Sequence, residues 1–151
     1  MDDAEAQELL SRLDDPSYGE YPQGFDYRAA EARARSLLPA LEALCGEQLD
    51  FEDGAQIQDA AFHAQVYLPE SALSRPLGAA RGVLRFSNFG NMVAAWPEDA
   101  IASDMIGPLQ QTLERAGYRW IPARVLARPY QPARPKGLSI DSWWDRFFDW
   151  F

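Results

Sequence analysis

The only histidine, His63, stands four residues after Asp59 and four before Tyr67. On a strand all three side chains would share one face, because successive residues alternate sides. A histidine beside a carboxylate is the core of an acid–base pair. A Ser-His-Asp mechanism also needs a positioned nucleophile and an oxyanion hole, and no GxSxG or comparable context occurs. Asp141, Asp145 and Asp149 recur every four residues and would line one helix face. A hard cation needs several converging oxygens, usually supplied by a loop, so this spacing reads as a solvated helix edge. Asp141 and Asp145 there would favour the positive end of the helix dipole. Glu98-Asp99 sits in a loop outside any diagnostic frame. Cys45 is the sole cysteine, which excludes an intramolecular disulfide and a cysteine-rich zinc site. Its place before Gly46, at the end of an apolar helical pattern, makes it a small buried hydrophobe. No P-loop, no GxGxxG after a strand and no HExxH is present. The expectation is a protein that is not an enzyme and carries no cofactor and no metal. An enzyme with an unrecognised site near His63 stands as an alternative.

Binding offers more. Arg115, Arg119, Arg124, Arg128, Arg134 and Lys136 interleave with Tyr118, Trp120 and Tyr130, a mixture that can hold single-stranded nucleic acid by charge and stacking. The whole chain carries −9, and repulsion of phosphate opposes that use. The charge is uneven: residues 1–26 hold −7, 27–80 hold −4, 81–140 hold +4 and 141–151 hold −2. The acidic N-terminal arm either neutralises the basic third segment internally or presents an acidic face to a basic partner. Contacts for such a partner would be Asp2, Asp3, Glu5, Asp14, Asp15 and Glu20, with the aromatics Tyr18, Tyr21, Trp150 and Phe151.

These residues must be positioned by a fold of ordinary size. A chain of 151 residues, 47% hydrophobic and 25% charged, buries enough surface to fold without a disulfide or metal. The N-terminus is acidic with no apolar core stretch, so it is no signal peptide. No apolar run approaches the roughly 18 residues of a membrane span. The expectation is a cytoplasmic protein. Thirteen arginines against one lysine point to a GC-rich, bacterial genome.

The hydrophobic spacing predicts a helix over 3–13, with Leu9, Leu10 and Leu13 on one side, then a loop rich in Tyr, Pro and Gly to Asp26. A longer helix over 27–44 follows, kinked or restarted at Pro39, with Gly46 as C-cap. Strands at 48–52 and 57–68 would form a hairpin about an Asp53-Gly54 tight turn. In the second of these Phe62, Ala64, Val66 and Leu68 alternate with His63, Gln65 and Tyr67, the mark of one buried face. Strands at 81–87 and 91–96 flank Asn88-Phe89-Gly90, with Leu84 and Phe86 inward and Arg85 outward. Ser103 caps a helix to Ala116 with Ile106, Leu109 and Leu113 inward. Short strands at 118–121 and 124–127 follow, and Asp141 caps a final helix over 142–151. This pattern is α+β: an antiparallel sheet of about four to five strands with N-terminal, middle and C-terminal helices packed on it. The chain is one domain, an acidic helix and loop at 1–26 followed by a core at 27–151.

In the final helix Trp143, Trp144, Phe147, Phe148 and Phe151 form one stripe, opposite Asp145, Arg146 and Asp149. The stripe docks on the sheet, leaves Trp150 and Phe151 for a partner, or makes a homodimer interface. Three aspartates to one arginine on the polar side argue against a membrane-surface anchor.

Leu84-Arg-Phe-Ser-Asn-Phe-Gly-Asn91, Ala116-Gly-Tyr-Arg-Trp-Ile-Pro122, Pro129-Tyr130 and Trp143-Trp-Asp-Arg-Phe-Phe148 resemble stretches of small bacterial proteins similar to the immunity proteins of polymorphic toxin systems. The resemblance covers roughly the C-terminal half. It implies an inhibitor of a toxin, and it assigns no inhibitory residue. The resulting expectation is a protein-binding module of immunity type whose partner is a basic toxin. The alternative within binding is a structural subunit or homodimer built on the aromatic helix.

Overall fold

In the computed structural model, which describes residues 1–135 and 137–151, the chain is an α+β fold. The elements are α1 (Asp3–Leu13), α2 (Tyr27–Arg35), α3 (Leu38–Cys45), β1 (Phe51–Asp53), β2 (Phe62–Tyr67), β3 (Val83–Ser87), β4 (Met92–Trp96), α4 (Ser103–Arg115), β5 (Arg119–Trp120), α5 (Ala123–Leu126) and α6 (Trp143–Phe148). The strands lie in sequence order. β1 to β4 pair antiparallel, and β5 joins β4 in parallel after the α4 crossover. The sheet is therefore mixed at one edge, where the sequence pattern predicts antiparallel pairing throughout.

Helices cover both faces. On one side Ala34, Leu37 and Leu41 from α2 and α3, with Leu109 and Leu113 from α4, pack against Ala64, Val66, Leu84, Phe86 and Val93. On the other, Leu9 and Leu10 of α1, Val125 and Leu126 of α5, and Trp143, Phe147 and Phe148 of α6 close over Met92 and Ala94. The expectation of a single buried face at β2 is corrected in two ways: the second cover buries Gln65, and a register shift between Phe62 and Ala64 leaves His63 buried beside Phe25 and Phe86 under α2. The second cover also corrects Arg85, which points away from the first core but lies under aromatic rings rather than in water.

Local chemistry sets the boundaries. Asp2 and Glu5 form a reciprocal capping box that opens α1. Asp26 caps α2 through the Ala29 amide. Pro39 falls in the first turn of α3, where a missing N–H costs nothing, so 27–44 is two helices broken at Ser36–Leu37. Gly46 ends α3 in the left-handed region at φ 74°. Gly90, at φ 63°, makes the β3–β4 hairpin, and a Cβ there would meet Leu13 at 2.8 Å.

Four predicted elements differ. Asp53-Gly54 does not make a tight hairpin: a 3-10 turn at Gly54–Gln56 and an irregular stretch separate β1 from β2, although the two strands still pair. The Asp53 box with Gln56 draws the chain into that turn. Residues 123–126 are helical, because Pro122 starts a turn rather than a strand. Ser103 lies inside α4 and Ala102 is its N-cap. Ser142, not Asp141, caps α6, and the helix stops at Phe148, since Trp150 leaves it to bridge Ala60 in antiparallel fashion. Among the described residues no helix is long and apolar enough to cross a membrane.

Candidate functional site

Arg146 organises the face on which the expected contact residues converge. It is fully buried, although the helical pattern places it with the polar side of α6. Its Nε donates to Asp14 at 2.7 Å, Nη1 to the Gly19 carbonyl at 2.8 Å, and Nη2 to the carbonyls of Asp15 and Tyr18 at 3.0 and 2.8 Å. Tyr130 donates to the other Asp14 oxygen at 2.6 Å. Burial, reinforced by Asp14, pushes the Tyr130 phenol up to about 12, so it stays a donor. A buried charge is tolerable only when paired and saturated with hydrogen bonds, and this one is. The consequence is a loop, 14–20, held in one shape by its own backbone.

The loop continues into exposed aromatics. Asn88 Nδ2 donates to the carbonyls of Glu20 (2.8 Å) and Ala60 (3.1 Å). Tyr21 stacks on Phe25, and Tyr27 meets both edge-on, at 5.8 Å from Tyr21 and 4.7 Å from Phe25. Tyr21 is 45% exposed and Tyr27 37%. The Tyr27 phenol is raised by burial and then by the negative charge of Glu20, which places an acid beside the rings. Ala60 also bridges Trp150, and Phe151 donates its amide to the Asp59 carbonyl at 2.7 Å. Trp150 is 43% exposed yet fixed: Phe62 meets it edge-on at 4.6 Å and the Arg85 guanidinium lies 4.5 Å from its ring. Arg85 is held by the Phe148 carbonyl, Asp149 and Gln65. Through Asn88 and Ala60, the tyrosine loop and the C-terminal residues share one scaffold.

The expected contacts divide accordingly. Glu20, Tyr21, Trp150 and Phe151 lie on this scaffold. Asp14 is spent inside it. Asp15 and Tyr18 give their carbonyls to Arg146, and Asp15 also turns the chain through Ser17. Asp2 and Glu5 are exposed but occupied with each other at the start of α1. Asp3 pairs with Arg124 (2.6 Å) and Arg128 (2.8 Å), so among the described residues the ion pairs from the acidic arm to the basic segment run through this one carboxylate. That segment is further from a nucleic-acid surface than its sequence suggests. Tyr118, Trp120 and Tyr130 are buried, Arg134 faces Asp141, and Lys136 lies outside the described residues.

His63 is 4% exposed. It lines a cleft of about 350 Å³ with Phe25, Arg33, Asn88 and Asn91, and Asp59 is not among the lining residues. Neither ring nitrogen has a hydrogen-bond partner within the described residues. Burial lowers its pKa to about 4, against which Asn88, the backbone of Ala30 and Ser87, and the Asp53 charge act only in part. Asp26 lines the same cleft, but its carboxylate accepts from the Ala29 amide as the cap of α2, and among the described residues no hydrogen bond joins it or any nucleophile to the imidazole, as an acid–base relay would require. Asp145 accepts from the amides of Asp141 and Ser142, and Asp149 faces Arg85, so the three aspartates do not converge. Among the described residues no cluster of His, Cys, Asp and Glu could hold a metal. Cys45 is half-buried, and burial followed by Glu47 pushes its thiol up, which makes it a poor nucleophile.

Compared with family models, curated proteins and solved structures, the chain matches none.

Arg146 is the residue that pattern reading misplaces. On a helical wheel it lies about 60° from Trp143, at the margin of the aromatic stripe. That margin was the available signal.

Proposed function

We propose that this chain is a protein-binding module that uses the Glu20–Tyr27 loop and Trp150 to engage a basic protein, and that its class is the immunity-type inhibitor of a bacterial toxin. The observation that carries the reading is the fixed exposure of Tyr21, Tyr27 and Trp150 on a scaffold anchored by Arg146, Asn88 and Arg85. Interface hot spots are rich in tyrosine and tryptophan. Anchors already held in place lose little entropy on binding. The net charge of −9 steers a basic partner and speeds association at low salt.

The homodimer alternative is weaker on the same geometry. The α6 stripe buries Trp143, Phe147 and Phe148 against its own sheet, so the aromatic helix has little left to offer a second copy. The test is capture of the partner from source cells by the wild-type chain and by a Tyr21→Ala/Tyr27→Ala variant, at low and moderate salt. One stoichiometric basic protein, kept by the wild type and lost by the variant, is the expected result. A partner retained equally by that variant and by Trp150→Ala moves binding off this face.

A further inference from the structure

A second surface has a different chemistry. A groove of about 810 Å³ runs beside the end of β4, its walls including Trp96, Glu98, Asp99, Ile106, Arg124 and Trp144. Such a volume is in the range of small-molecule sites. Trp96 is 49% exposed, more than any other tryptophan. It ends β4 opposite Val83, and the 3-10 turn Glu98–Ala100 that follows sets the carboxylate of Glu98. That carboxylate is anchored on one side only. Oε2 accepts from Trp120 Nε1 at 2.9 Å and from the Ala123 amide at 3.1 Å. Among the described residues no donor reaches Oε1. The basic residue of the groove, Arg124, is drawn to Asp3 by contacts of 2.6 and 2.7 Å. Asp99 holds Arg75 at 3.1 Å, but its side chain is largely in water.

The groove thus combines two indole side chains, one of them largely exposed, an apolar wall and a carboxylate with one unpaired oxygen, while its one arginine is already paired. An anion would meet Glu98 and Asp99. A neutral apolar molecule would cover Oε1 without pairing it, which is unfavourable. A cation with an apolar body satisfies both halves, because ring faces attract ammonium and guanidinium groups. We infer that this groove binds a small organic cation, with its charged head between Trp96 and Glu98 and its apolar part toward Ile106. The site has no residue in common with the Tyr21–Tyr27 face, so the two readings stand or fall separately.

The test titrates the full chain with choline chloride and, in parallel, with its neutral isostere 3,3-dimethyl-1-butanol, at ionic strength held with sodium chloride. The readout is the indole N–H resonance of Trp96, assigned by its loss in Trp96→Phe. The expected result is a saturable shift with choline and binding about tenfold weaker or more with the isostere. Trp96→Ala and Glu98→Gln, followed through the other indole signals, should each lose binding. Asp99→Asn, at an exposed position, provides a charge variant if Glu98→Gln does not fold. Equal binding of choline and the isostere would mean an apolar groove with no charge recognition and would overturn the inference. Unchanged affinity in Trp96→Ala, or no saturable shift with choline, would do the same.

Discussion

Arg146 and His63 are both buried polar side chains on or against the same sheet, and they are treated in opposite ways. Arg146 keeps its charge because Asp14 and three carbonyls surround it. Among the described residues neither nitrogen of His63 has a well-formed hydrogen bond, and burial lowers its pKa to about 4, so it is neutral. A guanidinium cannot shed its proton, so the fold must supply acceptors or exclude it. An imidazole can, so the fold can bury it and let the charge go. The first solution locks a loop. The second makes the protein sensitive to acid.

The contrast can be broken most severely at Arg146. Arg146→Ala strands Asp14 and three carbonyls, and urea unfolding should show a loss of about 3–5 kcal/mol. A loss below about 1 kcal/mol would mean that the network contributes only shape. Acid should come next. The folded pKa of His63 lies below the ordinary 6.5, so its share of stability is complete above pH 6.5. It falls away as pH drops toward 4. The difference of about 2.5 units corresponds to about 3 kcal/mol across that window. His63→Phe should flatten this part of the stability–pH curve, and an unchanged slope would assign the acid sensitivity elsewhere.

Smaller effects sharpen the picture. Asp3→Ala removes two partly exposed ion pairs and should cost no more than about 1 kcal/mol, diminishing with salt. Tyr21→Ala/Tyr27→Ala should lower the unfolding free energy least, by about 0.5 kcal/mol or less per residue, while abolishing partner capture. If that variant melts early, its rings serve the fold and not a partner.

Much of the fold was legible because apolar spacing and caps act locally. The α1 helix, the Gly46 C-cap and the β3–β4 hairpin all follow from residues within a few positions of one another. What escaped depends on distant partners. Nothing near Trp150 in sequence says that it will leave the helix to pair with Ala60. Nothing near His63 says that the pairing will slip between Phe62 and Ala64 and leave the ring under α2, because simple alternation assumes an unbroken ladder. The candidate site was legible in its residue types, Glu20, Tyr21 and Trp150, but not in its construction. Asn88 and Arg146 join segments that sequence spacing leaves unrelated. The Trp96–Glu98 groove escaped for the same reason, since its walls come from β4, α4, α5 and α6.

The Asp14–Arg146 contact links residues 132 positions apart. During synthesis the N-terminal segment leaves the ribosome long before its anchor exists, and residues are added at about 5–20 per second. For that interval α1 and the tyrosine loop have no roof to dock under, and their apolar side is open to chaperones or to premature partners. Long-range closure of this kind also slows folding relative to a chain of local contacts. The 14–20 loop can thus be pinned in its final shape only once the chain is made through Arg146.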